Sequence, residues 1–89
     1  MISREVEIVN RLGLHARAAA KFVHLAARFE SNILVARDSQ EVNGKSILGL
    51  LLLAATSGIQ LRISADGADE NEAIAALSEF VSKRFGEKT

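Results

Sequence analysis

An 89-residue chain has room for one domain with one core and none for a deep enclosed pocket, so its chemistry belongs on the surface. Zero formal charge, from 11 basic and 11 acidic side chains, and the absence of Trp and Tyr argue against a nucleic-acid binder, which displaces counterions and stacks bases. Without cysteine there is no disulfide framework, thiol catalysis or cysteine-ligated zinc, and two histidines with no carboxylate at ligand spacing suggest no metal site and call for no cofactor.

The chain opens Met1-Ile2-Ser3-Arg4-Glu5, polar at once, so no signal peptide is expected. Its longest apolar run, Ile47 to Ala55, is about half the ~20 residues of a membrane-spanning helix, so no membrane insertion is expected. No repeat, low-complexity tract or linker interrupts residues 1–89, which read as a single soluble, cytoplasmic domain.

Ile2, Val6 and Ile8 alternate with Ser3, Glu5 and Glu7, the pattern of a half-buried strand, and Asn10-Arg11-Leu12-Gly13 breaks it as a loop. A helix is expected from about Ala16 to Phe29. Ala18, Phe22, Leu25 and Phe29 recur at helical spacing, and Arg17, Lys21, His24 and Arg28 form a basic stripe of the same period. His24 reads as a member of that solvated stripe. Asn32 to Arg37 is a second strand; Asp38-Ser39 turns the chain into a short third one, Gln40 to Asn43. After Asn43-Gly44, Ser46 can cap a short helix running to about Ala55 and ended by Gly58. Ile47, Leu48, Leu50, Leu51, Leu52 and Leu53 make this helix apolar almost all round, so an open architecture must leave part of it exposed. Ile59, Leu61, Ile63 and Ala65 alternate with Gln60, Arg62, Ser64 and Asp66 in a fourth strand. Asp69, with Glu72 three residues on, looks like a capping box opening a last helix through Ile74, Leu77, Phe80 and Val81 to about Phe85.

The order β-α-β-β-α-β-α with alternating strands predicts an α+β open-faced β-sandwich. A four-stranded antiparallel sheet would carry three helices on one face and leave the other polar and exposed.

The residue that carries chemistry is His15, in Gly13-Leu14-His15-Ala16-Arg17, between a glycine-containing loop and a helix start. The first amides of a helix have no internal partners, and the macrodipole adds positive charge there, so an anion on His15 would be welcomed. Arg17, in the first turn, can donate charge-assisted hydrogen bonds to phosphate oxygens. A neutral imidazole is a competent nucleophile. These arguments point to an anion or phosphate site and leave open whether the phosphate is bound or covalent.

Gly13-Leu14-His15-Ala16-Arg17-Ala18-Ala19 resembles the active-site motif of HPr, the histidine-containing phosphocarrier family of the bacterial phosphotransferase system. Val42-Asn43-Gly44-Lys45-Ser46-Ile47-Leu48-Gly49 resembles the family's regulatory-serine segment, and the spacing between the two agrees. The resemblance covers nearly the whole chain. Two branches share the pattern, one serving sugar transport and one, NPr, nitrogen-related. The resemblance implies that His15 is the phosphohistidine, through Nδ1, and that Arg17 stabilises the phosphate. It implies that Ser46 is the serine modified by an HPr kinase/phosphorylase, a role compatible with capping. It further implies docking of partners through Ala16, Ala20, Ile47, Leu48, Leu51 and Leu52. The partners would be an enzyme I-type phosphoryl donor and an enzyme IIA-type acceptor, the carrier being a monomer and no self-contained enzyme. One departure stands out: Ala18 occupies a position where the family usually has proline. The competing reading is a regulatory binding module whose His15 and Ser46 phosphorylation state selects its partners.

Overall fold

The computed structural model describes all residues from Met1 to Thr89. The chain runs β1 (Ile2–Glu7), α1 (Ala16–Ala26), β2 (Asn32–Arg37), β3 (Gln40–Asn43), α2 (Ile47–Leu52), β4 (Gln60–Asp66) and α3 (Glu70–Ser82). The strands form one antiparallel sheet in the order β1-β4-β2-β3. The sequence dictates who sits inside. β2, with the run Ile33-Leu34-Val35-Ala36, and β4, with Leu61, Ile63 and Ala65 on one face, take the centre, where Ile63 pairs with Val35 and Ala65 with Ile33. β1 and β3 carry Arg4, Glu5, Glu7, Gln40 and Glu41 and take the edges, where charge discourages pairing with another chain. Ile33, Val35, Leu61, Ile63 and Ala65 are buried with Phe22 of α1, Leu50 of α2 and Ile74, Leu77 and Val81 of α3. The opposite face is polar, with Ser3 Oγ and Ser64 Oγ hydrogen-bonded at 2.8 Å. The fold is the open-faced α+β sandwich that the alternation predicts, with all three helices on one face.

The helices differ from expectation at their ends, and each difference has a partner remote in sequence. α1 stops at Ala26 instead of Phe29, because Arg28 and Phe29 donate to Leu25 and Ala26 in tighter i→i+3 bonds and Lys45 Nζ takes the Phe29 carbonyl at 2.7 Å. α2 stops at Leu52 instead of Ala55. Arg37 Nη1 donates to the carbonyls of Leu53 and Ala54, at 2.9 and 2.8 Å, satisfying groups a longer helix would have bonded itself. Gly58 does not end α2; with φ +91 it turns the chain into β4 and donates to the Ile8 carbonyl at 2.7 Å. Asp69 does not form a capping box. Its carboxylate accepts instead from Glu30 N, Ser31 N and Ser31 Oγ, tying the residues just before β2 to the start of α3.

α3 ends at Ser82 and not near Phe85. Arg84 and Phe85 both adopt left-handed backbone, φ 61 and 53. Such residues cost of order 1–3 kcal/mol each, offset in part by the roughly 1.5–3 kcal/mol from burying one large apolar side chain. Phe85 is fully buried, edge-on to Phe80 at 5.7 Å. This anchor brings the last residues back over the loop that precedes α1, where the Thr89 carbonyl accepts from Arg11 N.

Candidate functional site

The loop between β1 and α1 is built from the inside. Gly13 has φ +69, and a Cβ there would lie 2.6 Å from the Ala55 carbonyl oxygen, so only glycine fits both the conformation and the space. Leu14 N donates to that carbonyl at 2.9 Å, and the Leu14 side chain is buried. Asn10, fully buried, donates from Nδ2 to the Gly13 carbonyl at 2.8 Å. His15 follows as the N-cap residue of α1, extended at φ −85, ψ 178, with no capping bond from its side chain. Its carbonyl accepts from Ala19 N at 2.8 Å, while the amides of Ala16, Arg17 and Ala18 have no backbone acceptor. No acidic residue lies in the first turn. None of the surface concavities is lined by His15; its side chain is 25 % exposed.

His15 Nε2 lies 2.5 Å from Glu87 Oε2, a contact between residues 72 apart in sequence. The other oxygen, Glu87 Oε1, accepts from Asn10 Nδ2 at 2.8 Å. The Asn10 bond, with smaller contributions from the His15 hydrogen bond and the charges of His15 and Lys21, holds the Glu87 carboxyl below the usual carboxylate range against an opposing desolvation. Glu87 and Asn10 are the residues that sequence reasoning missed. Asn10 reads there only as a loop residue, and nothing near Glu87 announces a partner at the far end of the chain.

The other expected site residues fall as follows. Arg17 is exposed and makes no hydrogen bond or ion pair, so the structure places it in the first turn without joining it to His15. Ser46 Oγ accepts from Gly49 N at 3.0 Å and caps α2. Leu48 and Leu52 are 75 % and 69 % exposed; Ile47, Ala16 and Ala20 are exposed as well, and Leu51 is half-buried. Leu12, in the His15 loop, adds a large apolar side chain 66 % exposed that the sequence reading did not include. His24 is exposed on the basic stripe. No group of three His, Cys, Asp or Glu side chains is placed to hold a metal ion, and no helix is long and apolar enough to cross a membrane.

A family model described as the PTS HPr component phosphorylation site matches residues 2–83. The chain belongs to the HPr family. The phosphocarrier protein HPr of Neisseria meningitidis serogroup A is 47 % identical over 87 residues, covering 98 % of each chain. Among solved structures, HPr-C-His from Thermoanaerobacter tengcongensis superposes with a TM-score of 0.95 at 45 % identity over 100 % of both chains. The HPr dimer of the same organism matches with a TM-score of 0.78 at 46 % identity, covering 98 % of this chain and 100 % of that one. HPr relatives are thus phosphocarrier proteins of the phosphotransferase system, and the structurally similar ones include a dimer. Glu87 lies beyond the residues that the HPr family model matches.

Proposed function

We propose that residues 1–89 act as one phosphocarrier domain in which His15 accepts a phosphoryl group from an enzyme I-type donor and passes it to an enzyme IIA-type acceptor. The observation that carries this reading is the open start of α1. His15 stands at a helix N-terminus whose first amides have no acceptor, in a chain of the HPr family. In the transfer, a bond forms from Nδ1 of His15 to phosphorus as the donor's bond to phosphorus breaks, and the reverse exchange delivers the group onward. The charge of the transferring group spreads over its equatorial oxygens. The free amides of Ala16 and Arg17, the α1 dipole and the Arg17 guanidinium can all receive that charge. A site on an open surface suits a protein whose co-substrates are other proteins. Nothing in the exchange needs a cofactor, and the carrier turns over only with its partners, so it is not a self-contained enzyme.

The docking surface in this reading comprises Ala16, Ala20, Ile47, Leu48, Leu51 and Leu52, and Ser46 at its margin is the site for an HPr kinase/phosphorylase. In this reading the acting unit is a monomer working in the cytoplasm. The test is to incubate the protein with purified enzyme I and phosphoenolpyruvate and to map the labelled residue. Acid-labile phosphate on His15, absent in His15→Ala, is expected. Equal labelling of both proteins contradicts the assignment.

A further inference from the structure

The last residues of the chain are a built feature. Arg84, Phe85 and Gly86 have φ of 61, 53 and 76 in succession, a reversal that turns the backbone sharply after α3. Phe85 pins the reversal in the core, Gly86 N donates to the Lys83 carbonyl at 3.0 Å, and Glu87 N donates to Arg84 O at 2.8 Å. The product of this turn is one carboxylate with each oxygen engaged, Oε1 by Asn10 and Oε2 by His15. Asn10 is itself fixed. Its Nδ2 faces two acceptors, the Gly13 carbonyl and Glu87 Oε1, which settles the orientation of its amide.

A carboxylate can only accept hydrogen bonds, so the imidazole nitrogen facing it must carry the proton. A neutral histidine with hydrogen on Nε2 has its lone pair on Nδ1. Resting on the reading of His15 as phosphoryl acceptor, we propose that Glu87 is a positioning residue: its carboxylate, held by Asn10, keeps the His15 proton on Nε2 and so presents Nδ1 as the nucleophile. The same contact acts after transfer. With phosphorus on Nδ1, the ring still donates Nε2–H to Glu87, which fixes its orientation and balances the positive charge that the ring gains as Nδ1 bonds phosphorus and gives up as the phosphoryl leaves. Glutamine cannot replace this group, because its NH2 would take one of the two oxygen positions and cannot accept from Asn10 Nδ2 or from His15 Nε2–H.

The experiment compares wild type with Glu87→Ala, Glu87→Gln and Glu87→Asp by two readouts. The first is the ¹⁵N spectrum of the His15 ring, which reports which nitrogen carries the proton and needs no partner enzyme. The second is the rate of phosphorylation by enzyme I and phosphoenolpyruvate. Wild type should show the Nε2–H form alone and Glu87→Ala a mixture of tautomers. Glu87→Ala and Glu87→Gln should be phosphorylated roughly tenfold more slowly, as for loss of one charge-assisted hydrogen bond at a partly exposed ring. Glu87→Asp, which keeps the carboxylate, should recover part of the loss. A slowed rate with an unchanged tautomer would show that Glu87 supports docking or structure only. A changed tautomer with an unchanged rate would show that the contact does not govern the nucleophile. Either result overturns the proposal, as does no change in both. Failure of His15 to become phosphorylated in wild type would instead overturn the carrier reading, and the ring spectrum would still decide whether Glu87 sets the tautomer.

Discussion

At the start of α2, Ser46 Oγ accepts from Gly49 N and closes the helix end upon itself; at the start of α1, His15 makes no such bond and the first amides stay open. Both N-cap residues are extended, so the backbone does not separate them. The side chain does. A hydroxyl two bonds from the backbone reaches the third amide, whereas an imidazole is too large to turn back on its own helix and points away, here to Glu87. The closed end serves stability. The open end keeps amides and dipole free for an anion from outside, and the helix is held in place by burying Ala18, Ala19, Phe22 and Ala26. In the proposed carrier, a helix start that forgoes its own cap beside His15 leaves a local deficit that a phosphoryl group can fill.

Breaking the open end should have the largest effect. His15→Ala should abolish phosphoryl acceptance while leaving the protein folded, its melting temperature lowered by no more than the lost hydrogen bond to Glu87, since the ring caps nothing; a phosphorylation assay beside a thermal melt checks both. Arg17→Ala should come next. Its guanidinium has no partner in the resting protein, so stability should hold, while loss of a charged donor to phosphate, worth about 1.5–3 kcal/mol, should slow transfer at least tenfold. Unchanged transfer kinetics would remove Arg17 from the site.

Breaking the closed end should do the reverse. Ser46→Ala should cost about 1 kcal/mol through the lost cap, a fall of roughly 4–8 °C in melting temperature for a domain of this size, with His15 phosphorylation retained. Ser46→Asp sharpens the comparison. Aspartate caps as well as serine, and its charge suits the helix end, so stability should persist. Beside exposed Leu48, however, that charge must be desolvated when a partner docks, and phosphorylation by enzyme I should slow. A wild-type rate for Ser46→Asp would separate Ser46 from docking. The smallest effect expected is Ala18→Pro. The Ala18 amide has no acceptor, so proline forfeits no bond and should stabilise by about 0.4–1 kcal/mol through the unfolded chain, with transfer maintained by the Ala16 and Arg17 amides. A melting temperature several degrees lower would show that the first turn cannot accept the ring.

What the sequence made legible follows the range of the interactions. β2 and β3 have the predicted bounds, Asn32–Arg37 and Gln40–Asn43, because a short apolar run and a two-residue turn are local signals. His15, Arg17 and Ser46 were legible for the same reason, as residues at helix starts. Helix ends were not. The end of α2 depends on Arg37 donating to its last carbonyls, and the role of Asp69 depends on Ser31, contacts that no window of sequence contains. Glu87 is the extreme case, meeting His15 only because two left-handed residues and a buried Phe85 fold the terminus back.

The contrast between the two helix starts is tested most directly by the ¹H–¹⁵N spectrum of the protein before and after phosphorylation by enzyme I and phosphoenolpyruvate. If the open end receives the phosphate, the amide protons of Ala16 and Arg17 should shift downfield into hydrogen-bonded positions while that of Gly49, already bonded to Ser46, stays where it is. Amides of Ala16 and Arg17 that do not move on phosphorylation, or a Gly49 amide that moves in their place, would contradict the account.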